Sequence, residues 1–128
     1  MTRMWKIGAL AVVALGLAGG VLAKVSARAD VREVRLVVRG MAYYYPAQSS
    51  EENPTLRLVG GEKIRLVLTN EDPGYSHNLV APVLGVSTPL LEQGRSQSVE
   101  FKVPDVTGLY PYECGPHSQM MRGTISIE

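Results

Sequence analysis

The chain has 128 residues, of which 45% are hydrophobic and 20% charged, and its formal net charge at pH 7 is +1. This length is enough for one compact domain and no more. The near balance of charge gives no sign of the clustered basic face that a nucleic-acid binder needs, so we expect no nucleic-acid partner.

The first 29 residues have the organisation of an export signal. Arg3 and Lys6 precede an uncharged apolar run over residues 7–23, and Ala27 and Ala29 form a small-x-small cleavage pattern. These three features are typical of a secretory signal peptide. The run of seventeen residues is also just long enough to span a bilayer, so an uncleaved membrane anchor is the alternative. In both cases we expect the protein on the periplasmic or extracellular side of the cell envelope, secreted or tethered through residues 7–23.

Residues 30–128 form the predicted functional domain. Four basic residues belong to the export segment, so this domain has nine basic against twelve acidic residues. Its one cysteine, Cys114, has no partner for an internal disulfide. In an exported protein such a cysteine indicates intermolecular pairing, a reactive thiol or metal ligation. Its place in a loop rich in metal-binding residues favours ligation.

The domain has the hydrophobic alternation of short β-strands. Inward-facing apolar residues alternate with others over residues 31–38, 64–70, 99–103 and 124–128. A further apolar run over residues 55–59 is separated from 64–70 by Gly60-Gly61, which predicts a hairpin. No segment after residue 30 has sustained helical periodicity. Short strands at near-regular spacing predict an all-β fold, either a sandwich or a barrel.

Metal-binding side chains are concentrated near the C-terminus. Cys114 and His117 lie three positions apart, and Met120 and Met121 follow them. The only other histidine, His77, lies 37 residues before the cysteine, which allows it to approach from a separate strand. Two histidines, one cysteine and a weakly bound methionine form the ligand set of a mononuclear blue-copper site.

Each of these side chains alone has a simpler interpretation. A single cysteine is more often a small buried hydrophobic residue than a ligand, and a single histidine or methionine commonly has a structural role. Their conjunction favours copper, because the only cysteine, both histidines and two of the five methionines occur in the required combination. Zinc is the competing ion, but structural zinc sites use four cysteines or histidines, and a methionine opposite one cysteine suits copper better.

These residues resemble the motifs of a known family. Ser76-His77-Asn78, followed by Tyr112-x-Cys114-x-x-His117-x-x-x-Met121-x-Gly123, is similar to the small cupredoxins, namely plastocyanins, azurins and amicyanins. The resemblance covers residues 31–128 and implies a cupredoxin-like Greek-key β-sandwich with the metal beneath the loops at one end. It also implies one copper per chain, Cu(I) or Cu(II), with the equatorial ligands His77, Cys114 and His117 and the axial ligand Met121.

Three further residues or segments lead to expectations that the structure can test. Met120 competes with Met121 as the axial ligand, although the Met-x-Gly register favours Met121. Asn78 is expected to donate a hydrogen bond that tunes the thiolate. The run Tyr43-Tyr44-Tyr45 is interpreted as strand-end tyrosines that pack over a sheet edge, with a partner-docking surface as the alternative.

The family resemblance implies a one-electron carrier between larger redox partner proteins. The alternative is a copper-binding protein for storage, delivery or sensing in the cell envelope. We do not expect an enzyme, because four protein ligands leave no open coordination position for a substrate. We expect a monomer whose His117 ring edge reaches the surface, since this residue lies in the middle of a loop.

Overall fold

A computed structural model describes residues 30–47 and 50–128 of the chain. The predicted signal peptide or anchor over residues 1–29 lies outside these residues. Within them the chain forms nine strands and one short 3₁₀ helix, Pro82–Leu84. The strands are β1 Val31–Arg39, β2 Ala42–Tyr44, β3 Leu56–Leu58, β4 Lys63–Asn70, β5 Val80–Ala81, β6 Val86–Ser87, β7 Ser96–Lys102, β8 Gly108–Glu113 and β9 Arg122–Ile127.

The strands form two sheets that pack face to face. The first sheet has the order β2-β1-β4-β7 and the second the order β3-β9-β8-β5-β6. Both sheets are mixed, because β1 runs parallel to β4 and β3 runs parallel to β9. The buried core contains residues of both inner faces, including Leu36 and Leu66 of the first sheet and Ile125 and Ile127 of the second. The predicted all-β sandwich is therefore confirmed.

The hairpin predicted at Gly60-Gly61 is wrong. β3 and β4 belong to different sheets, so the two glycines form a crossover between the sheets. Gly60 N–H donates to the carbonyl of Glu128 over 3.0 Å, and Gly61 N–H donates to that of Val103 over 2.8 Å. Each strand pairs with other strands instead, since β3 aligns with β9 and β4 lies between β1 and β7. A glycine pair between two alternating runs is equally compatible with such a crossover.

One end of the sandwich collects the loops that carry the predicted ligands. β4 leads into the segment over residues 71–79, and β8 leads directly into the segment over residues 114–121. The turn between β1 and β2 lies at the same end. Its backbone N–H groups, those of Gly40 and Met41, donate hydrogen bonds to the carboxylate of Asp72. In residues 30–47 and 50–128 we find no helix with the length and apolar character needed to cross a membrane.

Candidate metal centre

Three of the four predicted ligands converge on one point. The ligand atoms of His77, Cys114 and His117 all lie within 4.8 Å of one another. Cys114 Sγ is 3.8 Å from Nδ1 of His77 and 3.6 Å from Nδ1 of His117. His77 and Cys114 are fully buried, whereas His117 is partly exposed. Residues separated by 37 positions in the chain thus form one compact donor cluster.

The spacing of these donors fits a single metal ion. Nitrogen and sulfur ligands bind a zinc-sized ion at about 2.0–2.3 Å, so three of them in a trigonal plane would lie roughly 3.5–4 Å apart. The two sulfur–nitrogen distances, 3.8 and 3.6 Å, agree with that arrangement. One soft thiolate with two imidazoles is also the equatorial donor set that copper uses in electron-transfer sites.

The loop that carries Cys114 and His117 is closed by backbone hydrogen bonds. Cys114 N–H donates to the carbonyl of Met121 over 3.0 Å, which continues the β8–β9 pairing for one more step. Within the loop, the carbonyl of His117 accepts from the N–H groups of Met120 and Met121 over 3.0 and 2.9 Å. The strand pairing on either side therefore fixes both ends of the ligand loop.

The two neighbouring methionines have opposite environments. The side chain of Met121 is fully buried in the same cluster as Cys114, whereas Met120 is 58% exposed. The carbonyl of Met120 accepts a hydrogen bond of 3.0 Å from the side-chain amide of Asn53, which anchors the outer side of the loop. Of the two methionines, Met121 is therefore the one whose side chain lies in the core with Cys114.

His77 is held by a polar scaffold that the sequence did not reveal. The backbone N–H of His77 donates to the carbonyl of Leu91 over 3.0 Å, and the backbone N–H of Leu91 donates to the carbonyl of His77 over 2.8 Å. The buried amide of Asn70 donates to the carbonyls of Tyr75 and Leu91 over 2.7 and 2.8 Å. Asn70 thus connects the segment before His77 to its bridge partner. It ends an alternating strand, where the sequence predicts no special role.

A second buried polar residue, Asp72, contacts the ring of His77. Its Oδ2 lies 3.0 Å from Nε2, on the side of the imidazole opposite to the cysteine. Burial lowers the pKa of His77, and this outweighs the neighbouring carboxylate, which raises it. The neutral ring is the form that binds metals. Nothing in the sequence marks Asp72 as a metal-site contact, since an Asp-Pro-Gly run is typical of a turn.

Asn78 does not make the contact that we predicted for it. Its side-chain oxygen accepts a hydrogen bond of 2.8 Å from the N–H of Gly115, and its amide donates to the carbonyl of Thr88 over 3.4 Å. Asn78 therefore joins the loop of His77 to the loop of Cys114, instead of donating to the thiolate. The two loops are held in register by this side chain.

Two tyrosines fill the space behind the cluster. Tyr43 is fully buried, its hydroxyl donates to the carbonyl of Asn78, and its ring lies 5.3 Å from that of Tyr112. Burial raises the pKa of both phenols above the ordinary tyrosine value. Tyr43 belongs to β2, the edge strand of the first sheet, but its side chain points into the core, whereas Tyr44 and Tyr45 are partly exposed.

An exposed tyrosine that the sequence did not single out lies beside the surface ligand. Tyr75 is 56% exposed, and its ring meets that of His117 edge-on with centroids 6.1 Å apart. The centroids of the His77 and His117 rings are 4.9 Å apart. Tyr75 and Met120 therefore border the one histidine of the cluster that reaches solvent.

Comparison with known sequences gives one family match. The sequence model described as copper binding proteins of the plastocyanin/azurin family matches residues 51–128. No curated protein sequence matches the chain significantly.

Solved structures with the same fold include small blue copper proteins. Auracyanin A, a "blue" copper protein from the green thermophilic photosynthetic bacterium Chloroflexus aurantiacus, has a TM-score of 0.62 at 14% identity, covering 77% of this chain and 100% of its own. A mutant amicyanin in the reduced Cu(I) form has a TM-score of 0.51 at 22% identity, and the match covers 75% of this chain and 82% of the amicyanin chain. The copper-containing nitrite reductase of Thermus scotoductus scores 0.59 at 20% identity, but only 28% of that chain is covered. The predicted cupredoxin-like fold is therefore confirmed.

Proposed function

Because the chain belongs to the plastocyanin/azurin family of copper-binding proteins, we propose that it is an exported blue copper protein that carries single electrons between larger redox proteins. It binds one copper ion per chain. The observation that carries the proposal is the position of the Cys114 sulfur, 3.8 and 3.6 Å from one imidazole nitrogen each of His77 and His117. Bound copper supplies a one-electron couple, Cu(I)/Cu(II).

The roles of the four side chains follow from their positions. His77, Cys114 and His117 would hold the copper ion through Nδ1, Sγ and Nδ1, the atoms that face one another. Met121 would supply the fourth and weaker donor, because its side chain is fully buried in the same cluster as Cys114, whereas that of Met120 is 58% exposed. A trigonal set of this kind with a weak thioether suits both oxidation states.

The residues around the ligands keep this geometry fixed. The loop over residues 114–121 is pinned by its own backbone bonds, and Asn78 joins it to the loop of His77. Each hydrogen bond contributes only about 1 kcal/mol, but together they leave the ligands little freedom. A site that moves little when the electron is gained or lost suits a carrier better than a protein that releases its metal.

The exposure of the cluster supports His117 as the ligand through which electrons enter and leave. His117 is partly exposed, while His77, Cys114 and Met121 are buried. Two weakly polar residues lie close to the exposed ring: the ring of Tyr75 meets it edge-on, and the backbone N–H of Met120 donates to the carbonyl of His117. Both side chains are more than half exposed. A small patch of this kind suits brief docking, as transient redox complexes with little buried area require.

Copper storage, delivery or sensing is the alternative function. Such a protein exchanges its metal, which requires a route for an incoming ligand to reach it. Burial of three of the four assigned ligands favours retention instead. An enzymatic role is disfavoured by coordination chemistry, because four protein ligands leave no position for a substrate. Likeness to nitrite reductase is a likeness of fold, and the chain spans about a quarter of that protein.

A visible absorption spectrum of the copper-loaded protein tests the proposal. We expect an intense thiolate-to-copper band in the oxidised protein, loss of that band on reduction, and full return on reoxidation without added copper. The metal content should stay at one copper per chain through repeated cycles of gel filtration and redox change. A protein that loses its copper when reduced would instead be a delivery or storage protein, and an absent band would refute the blue-copper assignment.

The cellular location is tested separately by the mass of the native protein in fractionated cells. A mature chain of residues 30–128 in the envelope or medium indicates a cleaved signal peptide. A full-length chain in the membrane fraction indicates an anchor. Retention of the protein in the cytoplasm would contradict export.

A further inference from the structure

We propose that Asp72 is a positioning residue that orients His77 for copper and lowers the reduction potential of the site, an inference that rests on the proposed electron-carrier function. Asp72 is buried, with 6% of its surface exposed. Its Oδ2 lies 3.0 Å from Nε2 of His77, while Nδ1 of the same ring faces the sulfur of Cys114. The carboxylate and the metal position thus lie on opposite edges of one imidazole.

The contact fixes which ring nitrogen is available to the metal. A carboxylate accepts hydrogen bonds and does not donate them, so Nε2 must carry the proton when it faces Asp72. In the neutral ring the lone pair is then left on Nδ1, the atom turned towards Cys114. Hydrogen bonds of this kind orient metal-binding histidines and raise their basicity as ligands.

Asp72 is itself held by hydrogen bonds to groups other than the ring of His77. Its carboxylate accepts the N–H groups of Gly40 and Met41, the two residues that turn β1 into β2. Both have positive φ angles, 53° and 62°, which directs their N–H groups to one side. The N–H of Asp72 in turn donates to the side-chain oxygen of Asn70 over 2.9 Å. The carboxylate therefore presents a fixed acceptor to the ring.

The charge of Asp72 favours the oxidised metal. A carboxylate hydrogen-bonded to a ligand adds negative charge one residue away from the ion, and this charge is screened little because the group is buried. It stabilises Cu(II) more than Cu(I), since the oxidised ion carries more positive charge. Outer contacts of this type typically change metal affinity by about 10- to 100-fold.

The test compares two variants that each remove one negative charge at adjacent positions. Asp72→Asn keeps the size of the side chain but removes its charge and one acceptor. Glu71→Gln is the matched control, because Glu71 is exposed and pairs with Arg39 at the surface. In copper-loaded protein we expect Asp72→Asn to lower the affinity for Cu(II) relative to Cu(I) by about tenfold. That is a rise of about 59 mV in the potential, and Glu71→Gln should leave it nearly unchanged.

A measurement on the unmodified protein covers the case in which Asp72→Asn does not fold. In nitrogen-15 NMR of the diamagnetic Cu(I) form and of the metal-free protein, we expect His77 Nε2 to carry a proton that exchanges slowly with water. A proton on Nδ1 of the metal-free ring, or a rapidly exchanging Nε2 proton, would overturn the inference.

The outcomes separate this inference from the proposed function. If the unmodified protein shows no thiolate-to-copper band, the blue-copper function fails first. If the band is present and folded Asp72→Asn has the same potential as Glu71→Gln, only the role of Asp72 is refuted. A higher potential in Asp72→Asn alone, with the band retained, supports both.

Discussion

The ring of Tyr112 lies directly against the backbone of Gly123. A Cβ atom built on this glycine would come within 2.3 Å of the ring carbon Cζ. The two residues are opposite each other in the β8–β9 pair. The hydroxyl of Tyr112 donates a hydrogen bond of 2.6 Å to the carbonyl of Pro54. The glycine two positions after Met121 thus leaves room for the tyrosine that packs behind Cys114.

Gly123→Ala should therefore lower the free energy of unfolding. The tyrosine ring is buried and hydrogen-bonded, so it has no free direction in which to retreat. Overpacking of this kind costs about 1–3 kcal/mol. Gly115→Ala is the matched control, since its Cβ would lie 3.5 Å from the nearest atom, an ordinary contact. Denaturant unfolding of the metal-free proteins measures both, and equal effects of the two changes would contradict the steric argument.

The pattern of side-chain types in the sequence was sufficient to predict the sandwich and the donor cluster. His77, Cys114 and His117 combine rare residue types with a characteristic spacing, and the structure brings all three together. Alternation likewise predicted the inward positions of Ile125 and Ile127. The alternation and the spacing of Cys114 and His117 are local signals, whereas His77 was predicted from its residue type, as the only other histidine of the chain.

The contacts that depend on tertiary pairing could not be predicted in the same way. Asp72 contacts His77 within the same loop, but its carboxylate is held in place by N–H groups of the β1–β2 turn, more than thirty positions earlier in the chain. The crossover at Gly60-Gly61 depends on β3 aligning with β9, a strand more than sixty positions later. Glycine pairs and Asp-Pro-Gly turns have the same local appearance whichever strands they connect.

Cys114→Ser should abolish the thiolate-to-copper absorption of the oxidised protein. Its sulfur is the one soft anionic donor in the cluster, and a hydroxyl cannot replace the covalent copper–thiolate bond. Some metal can remain on the two histidines, so copper content is measured beside the spectrum. A serine variant that keeps the intense band would exclude Cys114 as the ligand.

Met121→Leu should raise the reduction potential, whereas Met120→Leu should change it far less. Removing a weak donor disfavours the oxidised ion, and only Met121 is buried with the cluster. The two changes are chemically identical and lie at adjacent positions, so each serves as the control for the other. Voltammetry of the copper-loaded proteins gives both potentials. The reverse order of effects would make Met120 the axial ligand.

Met120→Lys should slow electron self-exchange while leaving the absorption spectrum unchanged. Two copies that meet through the His117 end would bring the added charges together, and like charges at close range repel. Met120 is 58% exposed, so the lysine can reach water without disturbing the site. The rate should recover at high ionic strength as the charges are screened.

The exposed tyrosine provides a second, independent probe of the same surface. Tyr75→Lys places a charge on the other side of the His117 ring, which Tyr75 meets edge-on. Val106→Lys is the control, since Val106 is exposed in the segment between β7 and β8, away from the ligand loops. If all three lysine variants exchange electrons as fast as the unmodified protein, the docking face lies elsewhere.

Alkaline pH should destabilise the metal-free protein in part through Tyr112. Burial raises the pKa of this phenol above its value in the unfolded chain, which is about 10. At a pH between the unfolded-state and the folded-state pKa, the folded protein holds a proton that the unfolded chain has lost. The contribution of Tyr112 to the free energy of unfolding is therefore fully present below about pH 10 and falls above it. Each pH unit in that range costs about 1.4 kcal/mol per such group.

Tyr112→Phe should lower stability at neutral pH by about 1 kcal/mol through the lost hydrogen bond, yet flatten the decline above pH 10. Urea unfolding at a series of pH values measures the slope, and an unchanged slope in this variant would show that Tyr112 does not contribute to the decline.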